Sequence, residues 1–422
     1  MALNYIWVGF FLIGIVTALA KLLLWGDATA FSDMTSMLVG GELSWDKDGT
    51  SGMAKAAANI SIGLIGVMCL WLGIMKVGEH GGAVRFLTRI VQPFFRRLFP
   101  EIPDGHPASG SMMMNFSANM LGLDNAATPL GLKAMGQLQE INPDKDRASN
   151  AMIMFLVLNT SGLTIIPISV IALRAAKGAV NPTDVFLPIL IATYFASLAG
   201  LITVAIVQRI NLFRPVVLAY LGGATAFIIA LILYFKGLPR EAIEMQSKTL
   251  SALFIFGIIG WFLTLALKER VNVYESFIEG AKEGFDVAIK IIPYLVAMLV
   301  AVGIFRGSGA MAAVIDVIGS FFAMLGLDTR FVDGLPTAMM KPLSGGGARG
   351  MAVETMAALG PDSFAGKLAC TFQGSTETTF YTLAVYFGAV GIKRTRYALP
   401  CGLIADAAGI IAAIFVAYLF FG

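Results

Sequence analysis

The sequence predicts an all-α polytopic membrane protein with two inverted repeats, re-entrant hairpins and unwound transmembrane helices. Three observations predict this fold: a membrane-like composition, apolar runs of spanning length, and polar motifs that recur in the second half of the chain. Of the 422 residues, 57% are hydrophobic and 14% are charged, whereas soluble domains have about 25% charged residues. The net charge of +3 is too small for a nucleic-acid footprint, so we expect no nucleic-acid partner.

The apolar residues form runs of about 20, the length that crosses a hydrocarbon core about 30 Å thick, which makes the lipid bilayer the first partner. No basic residue precedes the first run, Tyr5 to Trp25, so we expect a retained helix and no cleaved signal peptide. Residues 82–98 alternate arginine with large apolar side chains, which is typical of an interfacial amphipathic helix. The other spanning runs cover 60–77, 150–173, 185–208, 213–235, 249–267, 287–305, 364–392 and 397–421.

The basic residues of the short loops predict the orientation, because cytoplasmic loops carry an excess of lysine and arginine. The loop 26–58 is acidic and the segment 76–104 is basic. We therefore place the N-terminus in the cytoplasm and expect a protein of the bacterial inner membrane. The basic loops further along the chain face the cytoplasm only if segments 105–139 and 334–359 each enter the membrane and return to the same side. The charge pattern thus predicts two re-entrant hairpins.

Short motifs of the first half recur in the second half at a nearly constant offset of about 230 residues. The matched loops carry opposite charge bias, so the repeats are predicted to be inverted, as in many secondary transporters. We predict a first repeat at 1–210, connecting helices at 211–270 and a second repeat at 271–422. The matched motifs are Gly52-Met-Ala-Lys55 with Gly280-Ala-Lys282, Gly73-Ile74 with Gly303-Ile304, and Gly105-His-Pro107 with Gly334-Leu-Pro336.

The hairpin 105–139 carries polar side chains within an apolar segment. Unsatisfied polar groups cost several kcal/mol each in lipid, so they face a cavity, a partner helix or a ligand. The alternative is that they only tie helices together. Residues 122–125 would form the tip, because Gly and Asn tolerate a left-handed backbone, and Pro129 would lie in the first turn of the next half-helix. The polar residues are Asn115, Ser117, Asn119, Asp124 and Asn125.

The hairpin 334–359 contains Lys341, Ser344, the run Gly345-Gly346-Gly347 and Arg349. Three successive glycines predict a segment that cannot sustain a helix and that leaves its backbone N–H groups open to a ligand. With a basic side chain on either side, the segment resembles an anion-binding nest. The alternative is a flexible tip whose charges reach toward lipid headgroups.

Polar clusters interrupt two of the spanning runs and predict unwound helices, since freed carbonyls must find new donors or bind a cation. Glu377 is a functional candidate because carboxylates inside a membrane are costly. A permanent ion pair with Lys341 or Arg349 is the structural alternative. Asp124, Glu377 and Asp406 are the candidates for binding a coupling ion. The clusters are Asn159-Thr160-Ser161-Gly162, with Pro167 following, and Gln373 to Thr378, with Ser375, Thr376 and Glu377.

No motif of the sequence predicts an enzyme, a metal site or a cofactor. His80 and His106 are the only histidines, and neither has a cysteine or carboxylate at ligand spacing. The three cysteines lie far apart in apolar runs, and no nucleophile elbow is present. We therefore expect a protein that is not an enzyme and that binds neither a metal nor a cofactor. The sequence leaves open whether the protein forms a homo-oligomer.

Longer motifs resemble known families. The segment from Asn115 to Gly131 resembles the signature of spore maturation protein A, and Lys341 to Gly350 with Gln373 to Tyr381 resembles spore maturation protein B. The chain thus resembles a fusion of the two, over about 1–210 and 250–422. Both families have a Gate, or nucleoside-recognition, domain that is similar to the membrane core of concentrative nucleoside transporters. The resemblance implies that two hairpins and two unwound helices surround a solute.

We therefore expect a secondary transporter of a small polar or anionic organic solute, nucleoside-like or dicarboxylate-like, coupled to H⁺ or Na⁺. The site is expected between hairpins 107–139 and 334–359 and the breaks at 159–162 and 373–378. The alternative is a membrane receptor or scaffold that binds the solute without moving it. The candidate solute-binding residues are Asn115, Ser117, Asn119, Asn125, Asn159, Thr160, Ser161, Lys341, Ser344, Arg349, Gln373, Ser375, Thr376 and Glu377.

Overall fold

The protein is an all-α membrane protein. The computed structural model describes residues 2–39 and 53–422, so the motif residue Gly52 and the acidic residues 42–48 lie outside it. Of the described residues, 79% are helical and none belongs to a strand. Seven of their helices are long and apolar enough to cross a membrane: Tyr5–Trp25, Ile62–His80, Phe186–Gln208, Pro215–Lys236, Ala242–Lys268, Val273–Gly307 and Ala398–Phe421.

The helices follow one another in an order that alternates long spans with short, paired segments. They are α1 (Ala2–Trp25), α2 (Thr29–Val39), α3 (Met53–His80), α4 (Ala83–Leu98), α5 (Pro107–Met120), α6 (Asp124–Glu140), α7 (Asn150–Ser161), α8 (Ile168–Ala176), α9 (Phe186–Gln208), α10 (Pro215–Lys236), α11 (Arg240–Lys268), α12 (Val273–Gly307), α13 (Ala310–Met324), the short 3-10 helix η1 (Val332–Gly334), α14 (Leu335–Met340), α15 (Gly345–Leu359), α16 (Phe364–Ser375), α17 (Thr379–Ala389) and α18 (Ala398–Phe421).

Two predicted spans are broken at the polar clusters. The run 150–173 forms α7 and α8, with Gly162 in the left-handed region (φ 55°) directly after α7. Ser149 caps α7 by accepting a hydrogen bond from the Met152 amide at 3.2 Å. The run 364–392 forms α16 and α17, separated by residues 376–378. Both helices are thus interrupted where the sequence predicts unwinding.

Each predicted hairpin segment forms a pair of short helices joined by a tight turn. Gly122 lies at the first turn with φ 73°, as expected for the tip. Pro129 lies inside α6 and not in its first turn, because α6 already begins at Asp124. The glycine run 345–347 is helical and forms the first turn of α15. The expectation that three glycines would prevent a helix is therefore wrong.

The element order of the first half recurs in the second. The series α3 to α9 and the series α12 to α18 each contain a long helix, a shorter helix, a hairpin pair, a broken helix and a final long helix. A left-handed glycine precedes the shorter helix in both series, Gly82 (φ 86°) before α4 and Gly309 (φ 82°) before α13. The segment 306–333, which lies between the predicted run 287–305 and the predicted hairpin 334–359, contains the helix α13. The inverted relation of the repeats and their boundaries stay predictions.

Residue contacts divide the chain into two compact units. Unit 1 comprises Met1–Met68, Ala172–Val180 and Phe285–Gln373, and it contains the hairpin α14–α15. Unit 2 comprises Cys69–Ile171, Asn181–Gly284 and Gly374–Gly422, and it contains the hairpin α5–α6. The first broken helix contributes α7 to unit 2 and most of α8 to unit 1. The second contributes α17 to unit 2 and most of α16 to unit 1. The candidate residues are therefore described unit by unit.

Unit 2 has an apolar core in which α7 is central. Every residue of α7 from Ala151 to Ser161 is buried. The helix packs against α9 and α18, two long apolar helices that also pack on each other. Because α7 is enclosed along its length, the polar residues at its C-terminal end lie in the protein interior.

Candidate functional site

The tip of the first hairpin and both helix breaks meet in unit 2. The Ile165 amide donates to the Met120 carbonyl at 2.8 Å, which ties the first break to the hairpin tip. The Glu377 amide donates to the Thr160 carbonyl at 2.8 Å, which ties the second break to the end of α7. We call residues 119–122, 159–167 and 375–379 the junction. Three polar segments that are distant in the sequence thus lie together in unit 2.

Glycine is required at two positions of the junction. A Cβ atom at Gly122 would lie 2.6 Å from the Ile166 carbonyl oxygen, and the residue also has a positive φ of 73°. A Cβ atom at Gly162 would lie 3.1 Å from both the amide nitrogen and Cγ of Glu377. Any other residue would therefore push the segments apart and strain the backbone as well.

Buried amides connect the hairpin with α7 and α17 through one central residue, Asn159. Its Oδ1 accepts from Asn119 Nδ2 at 2.7 Å and from the Tyr386 hydroxyl at 3.3 Å, and its Nδ2 donates to the Phe155 carbonyl at 2.8 Å. Asn115 Nδ2 donates to the Ala127 carbonyl at 2.7 Å and to the Tyr386 hydroxyl at 3.3 Å. We call Asn115, Asn119, Asn159 and Tyr386 the asparagine network. Tyr386 lies in an apolar, aromatic run, so no sequence signal distinguishes it from its neighbours.

The hydroxyl residues of the junction are buried as well. Thr160, Ser161, Ser375 and Thr376 are each at most 3% exposed. Asp406 on α18, 1% exposed, accepts from the Thr379 hydroxyl at 2.6 Å. Ser117 is buried and lies 3.3 Å from the Thr88 hydroxyl of α4, so it faces a neighbouring helix. The side chains of Asp124 and Asn125 lie outside the described part of the structure.

Three buried polar atoms of this region have no hydrogen-bond partner among the described residues. They are Asn115 Oδ1, Thr160 Oγ1 and Thr376 Oγ1. Buried polar groups in folded proteins are nearly always hydrogen-bonded, so each exception indicates a ligand, a water or a functional role. All three residues are among those selected from the sequence. The region therefore offers both donors and acceptors to a polar molecule.

Glu377 differs from its neighbours because its side chain is exposed. Among the described side chains of unit 2, no basic group lies at ion-pair distance from its carboxylate, so this part of the chain gives no support to a permanent ion pair. Its backbone is fixed by the hydrogen bond to Thr160. The carboxylate is thus positioned at the break and stays accessible.

In unit 1, Ser344 determines the start of α15. Its hydroxyl accepts from the Gly347 amide at 3.0 Å, which satisfies one of the free N–H groups at the helix N-terminus. A Cβ at Gly347 would lie 2.4 Å from Cε of Met340 and 3.2 Å from Cε of Met298. The glycine therefore allows α15 to pack closely against α14 and α12.

The basic residues beside this helix start differ in burial. Lys341 is 4% exposed and Arg349 is half-buried. Gln373, at the end of unit 1, is 7% exposed, and its Oε1 has no hydrogen-bond partner among the described residues. The helix N-terminus and these side chains make the segment electropositive, as the sequence predicts. The N–H groups are those of a capped helix and not of an open glycine loop.

Replacement of Ser344 by alanine should lower the free energy of unfolding by about 1 kcal/mol, the usual cost of losing an N-cap. Replacement by threonine keeps the acceptor and should cost less. Thermal unfolding of the purified protein in detergent measures both. If both variants lower the free energy of unfolding equally, the Ser344 side chain acts through packing and not through its hydrogen bond.

Unit 1 also contains buried ion pairs that were not predicted. Arg306 of α12 pairs with Glu354 of α15, and Arg174 of α8 pairs with Asp362 at 3.1 Å. Glu354 lies in an apolar segment, so the criterion that selected Glu377 could have identified it. The two arginines lie at the ends of apolar runs, where basic residues are common. Their burial could not be predicted from position alone.

Comparison with known proteins agrees with this architecture. The chain matches the family described as Gate, nucleoside recognition, over residues 61–177 and 288–393, and it belongs to that family. It is 47% identical to spore maturation protein B of Bacillus subtilis (strain 168) over 182 residues, which are 43% of this chain and 98% of that protein. It is 40% identical to spore maturation protein A of the same organism over 199 residues, which are 47% of this chain and 92% of that protein. No solved structure matches significantly.

These similarities confirm the predicted relationship. Each relative is matched over nearly its whole length but accounts for less than half of this chain. The chain is therefore similar to both proteins at once and is consistent with a fusion of an A-like and a B-like part. The family, the helical fold and the apolar spans together make it an integral membrane protein.

Proposed function

We propose that the chain is a secondary transporter of a small polar or anionic organic solute. The observation that carries the proposal is the junction, where a hairpin tip and two helix breaks meet around buried polar atoms that have no hydrogen-bond partner in the described part of the chain. Discontinuous helices of this kind supply the solute and ion sites of many transporters, because their freed backbone groups bind the cargo. A protein that served only as a membrane anchor would have no need of buried unpaired polar groups, each of which is costly.

The side chains suggest the chemistry of the solute. The amides and hydroxyls of the junction suit the hydroxyl, carbonyl and ring nitrogen groups of a nucleoside-like molecule. In unit 1, Lys341, Arg349 and the start of α15 suit the carboxylates of a dicarboxylate-like molecule. The family description names nucleoside recognition, which makes a nucleoside the first solute to test.

Several finer features belong to the same proposal. We place the protein in the bacterial cytoplasmic membrane with a cytoplasmic N-terminus, because the basic loops then face inward. The solute moves with H⁺ or Na⁺, and the protein performs no enzymatic reaction. The names of the two relatives from Bacillus subtilis refer to spore maturation. A role of the transported solute in a developmental process would fit those names.

Counterflow in proteoliposomes tests the proposal. Vesicles loaded with unlabelled uridine or succinate are diluted into a trace of the labelled compound, and transient uptake above equilibrium is expected for one of them. Vesicles that contain Gly162→Val, in which the junction is sterically disrupted, serve as the matched control. Saturable binding without counterflow would instead indicate a receptor or scaffold.

Replacement of Arg349 by alanine should weaken binding of an anionic solute more than tenfold. A hydrogen bond to a charged group contributes about 1.5–3 kcal/mol, and 1.4 kcal/mol corresponds to tenfold in affinity. Isothermal titration of the purified protein with succinate measures the effect. Arg330→Ala is the control, because Arg330 is half-exposed and already pairs with Asp328 at 2.8 Å. Unchanged binding in both Arg349→Ala and Lys341→Ala would contradict an anion site in this segment.

A further inference from the structure

A buried ion pair in unit 1 has no role in the site described above. Glu354 of α15 accepts from Arg306 Nη2 at 2.8 Å, and Arg306 Nε also contacts the carboxylate. The Glu354 side chain is 3% exposed and that of Arg306 is 20% exposed. The guanidinium group therefore lies between the buried carboxylate and the accessible surface.

Two further charged groups act on this pair. Lys177, which follows α8, is close enough for its charge to interact with Glu354, and burial lowers the pKa of its ammonium group. Asp333 of η1 interacts with Arg306, and burial together with the charge of Asp316 raises the pKa of its carboxyl group. Arg306 thus contacts the Glu354 carboxylate directly and also acts through its charge on Asp333, while the charge of Lys177 acts on Glu354.

This arrangement is unfavourable as a purely structural device. Desolvation of a buried ion pair commonly offsets its Coulombic attraction, so apolar residues of similar volume would serve stability at least as well. A buried carboxylate held by a single basic partner can instead accept a proton when that partner is released. Protonation of Glu354 would remove its negative charge and weaken the contact with Arg306 that links α12 and α15.

The position of Glu354 connects this event to the proposed solute site. The residue lies on α15, the helix that begins at the Ser344 cap, ~13 Å beyond the first residue of that helix at ~1.5 Å per residue. A change in the link between α12 and α15 therefore acts on the segment that carries Lys341 and Arg349. Glu377, the other carboxylate considered for coupling, has an exposed side chain.

We propose that Glu354 is the proton-binding group that couples solute movement to the proton gradient, with Arg306 released from Glu354 when the proton binds. The coupling rests on the proposed transport function, whereas proton binding by Glu354 does not. One O–H bond forms when the proton arrives from water and breaks when the proton leaves to water. No oxidant, reductant or further reactant takes part.

The first test uses the purified protein without any solute. Infrared difference spectra between neutral and acidic pH should show the C=O band of a buried protonated carboxyl group in the wild type. The band should be absent in Glu354→Gln and present in Glu275→Gln, which removes an exposed carboxylate. The double variant Arg306→Gln/Glu354→Gln guards against misfolding, because it leaves no unpaired buried charge. An unchanged band in both Glu354 variants would overturn the proposal.

The second test separates the coupling from the transport itself. In proteoliposomes with uridine or succinate, an inward proton gradient should drive accumulation by the wild type. The double variant should still exchange solute in the absence of a proton gradient and accumulate none in its presence, since its proton-binding group is lost. Gradient-driven accumulation by the double variant would overturn the coupling. A wild type that shows the infrared band but no counterflow would refute the transport function and leave proton binding by Glu354 intact.

Discussion

Replacement of Asn159 by leucine should lower the free energy of unfolding by about 2–5 kcal/mol, with loss of any solute binding at the junction. The side chain of Asn159 satisfies the Asn119 amide, the Tyr386 hydroxyl and the Phe155 carbonyl. Leucine has a similar volume but leaves these groups without their partner. A buried polar group that loses its hydrogen bond costs about 1–3 kcal/mol, and three groups are affected.

Two variants make the Asn159 prediction specific. Tyr386→Phe removes one hydroxyl of the same network and should cost only about 0.5–1.5 kcal/mol. Asn211→Leu, at an exposed asparagine of a loop, should change stability by no more than about 0.5 kcal/mol. Unfolding by SDS in mixed micelles measures all three. If Asn159→Leu lowers the free energy of unfolding no more than Asn211→Leu does, water or another group takes over the hydrogen bonds of the asparagine network.

The broken helices were predicted because their signals are local. An apolar run of spanning length predicts a membrane helix, and Gly162 with Pro167, or a cluster of hydroxyls, predicts its interruption. The meeting of the breaks was predicted from the repeats and the resemblance. The hydrogen bond from the Glu377 amide to the Thr160 carbonyl could not be predicted, since it joins residues more than two hundred positions apart.

The glycine run shows where local reasoning failed. Glycine has a low helix propensity, so the sequence predicts an open loop at 345–347. In the structure, the Ser344 cap starts the helix, and contacts of Gly347 with Met340 and Met298 leave room only for glycine. The propensity of single residues is a weak signal when packing against other helices decides the conformation. Neither Met340 nor Met298 could be identified as a neighbour beforehand.

The charged residues show a different limit of prediction from the sequence. Glu377 was selected as an intramembrane carboxylate and has an exposed side chain, whereas Glu354 was overlooked and is buried. Hydropathy indicates that a carboxylate lies in an apolar stretch but not which way its side chain points. The direction depends on which helices surround it, and for Glu354 the partner Arg306 lies 48 residues away.

Replacement of Asp362 by alanine should be among the most damaging single substitutions in unit 1, at about 3–5 kcal/mol. Arg174 is wholly buried, at 0% side-chain exposure, whereas the Asp362 side chain is 35% exposed. Loss of the aspartate therefore leaves a buried guanidinium without its carboxylate, which is the costly way to break such a pair. The Val180 amide, which donates to Asp362 Oδ2 at 3.0 Å, loses its acceptor as well.

The burial of the two partners predicts an asymmetry between the single variants. Arg174→Met removes the buried charge and leaves Asp362 partly in water, so it should cost less than Asp362→Ala, about 1–2 kcal/mol. The double variant Arg174→Met/Asp362→Ala should recover part of the loss, because no uncompensated charge remains. Unfolding of the four proteins in mixed micelles gives the coupling energy as a double-mutant cycle. Equal costs for the two single variants would contradict the asymmetry, because they would mean that water reaches Arg174 as readily as it reaches Asp362.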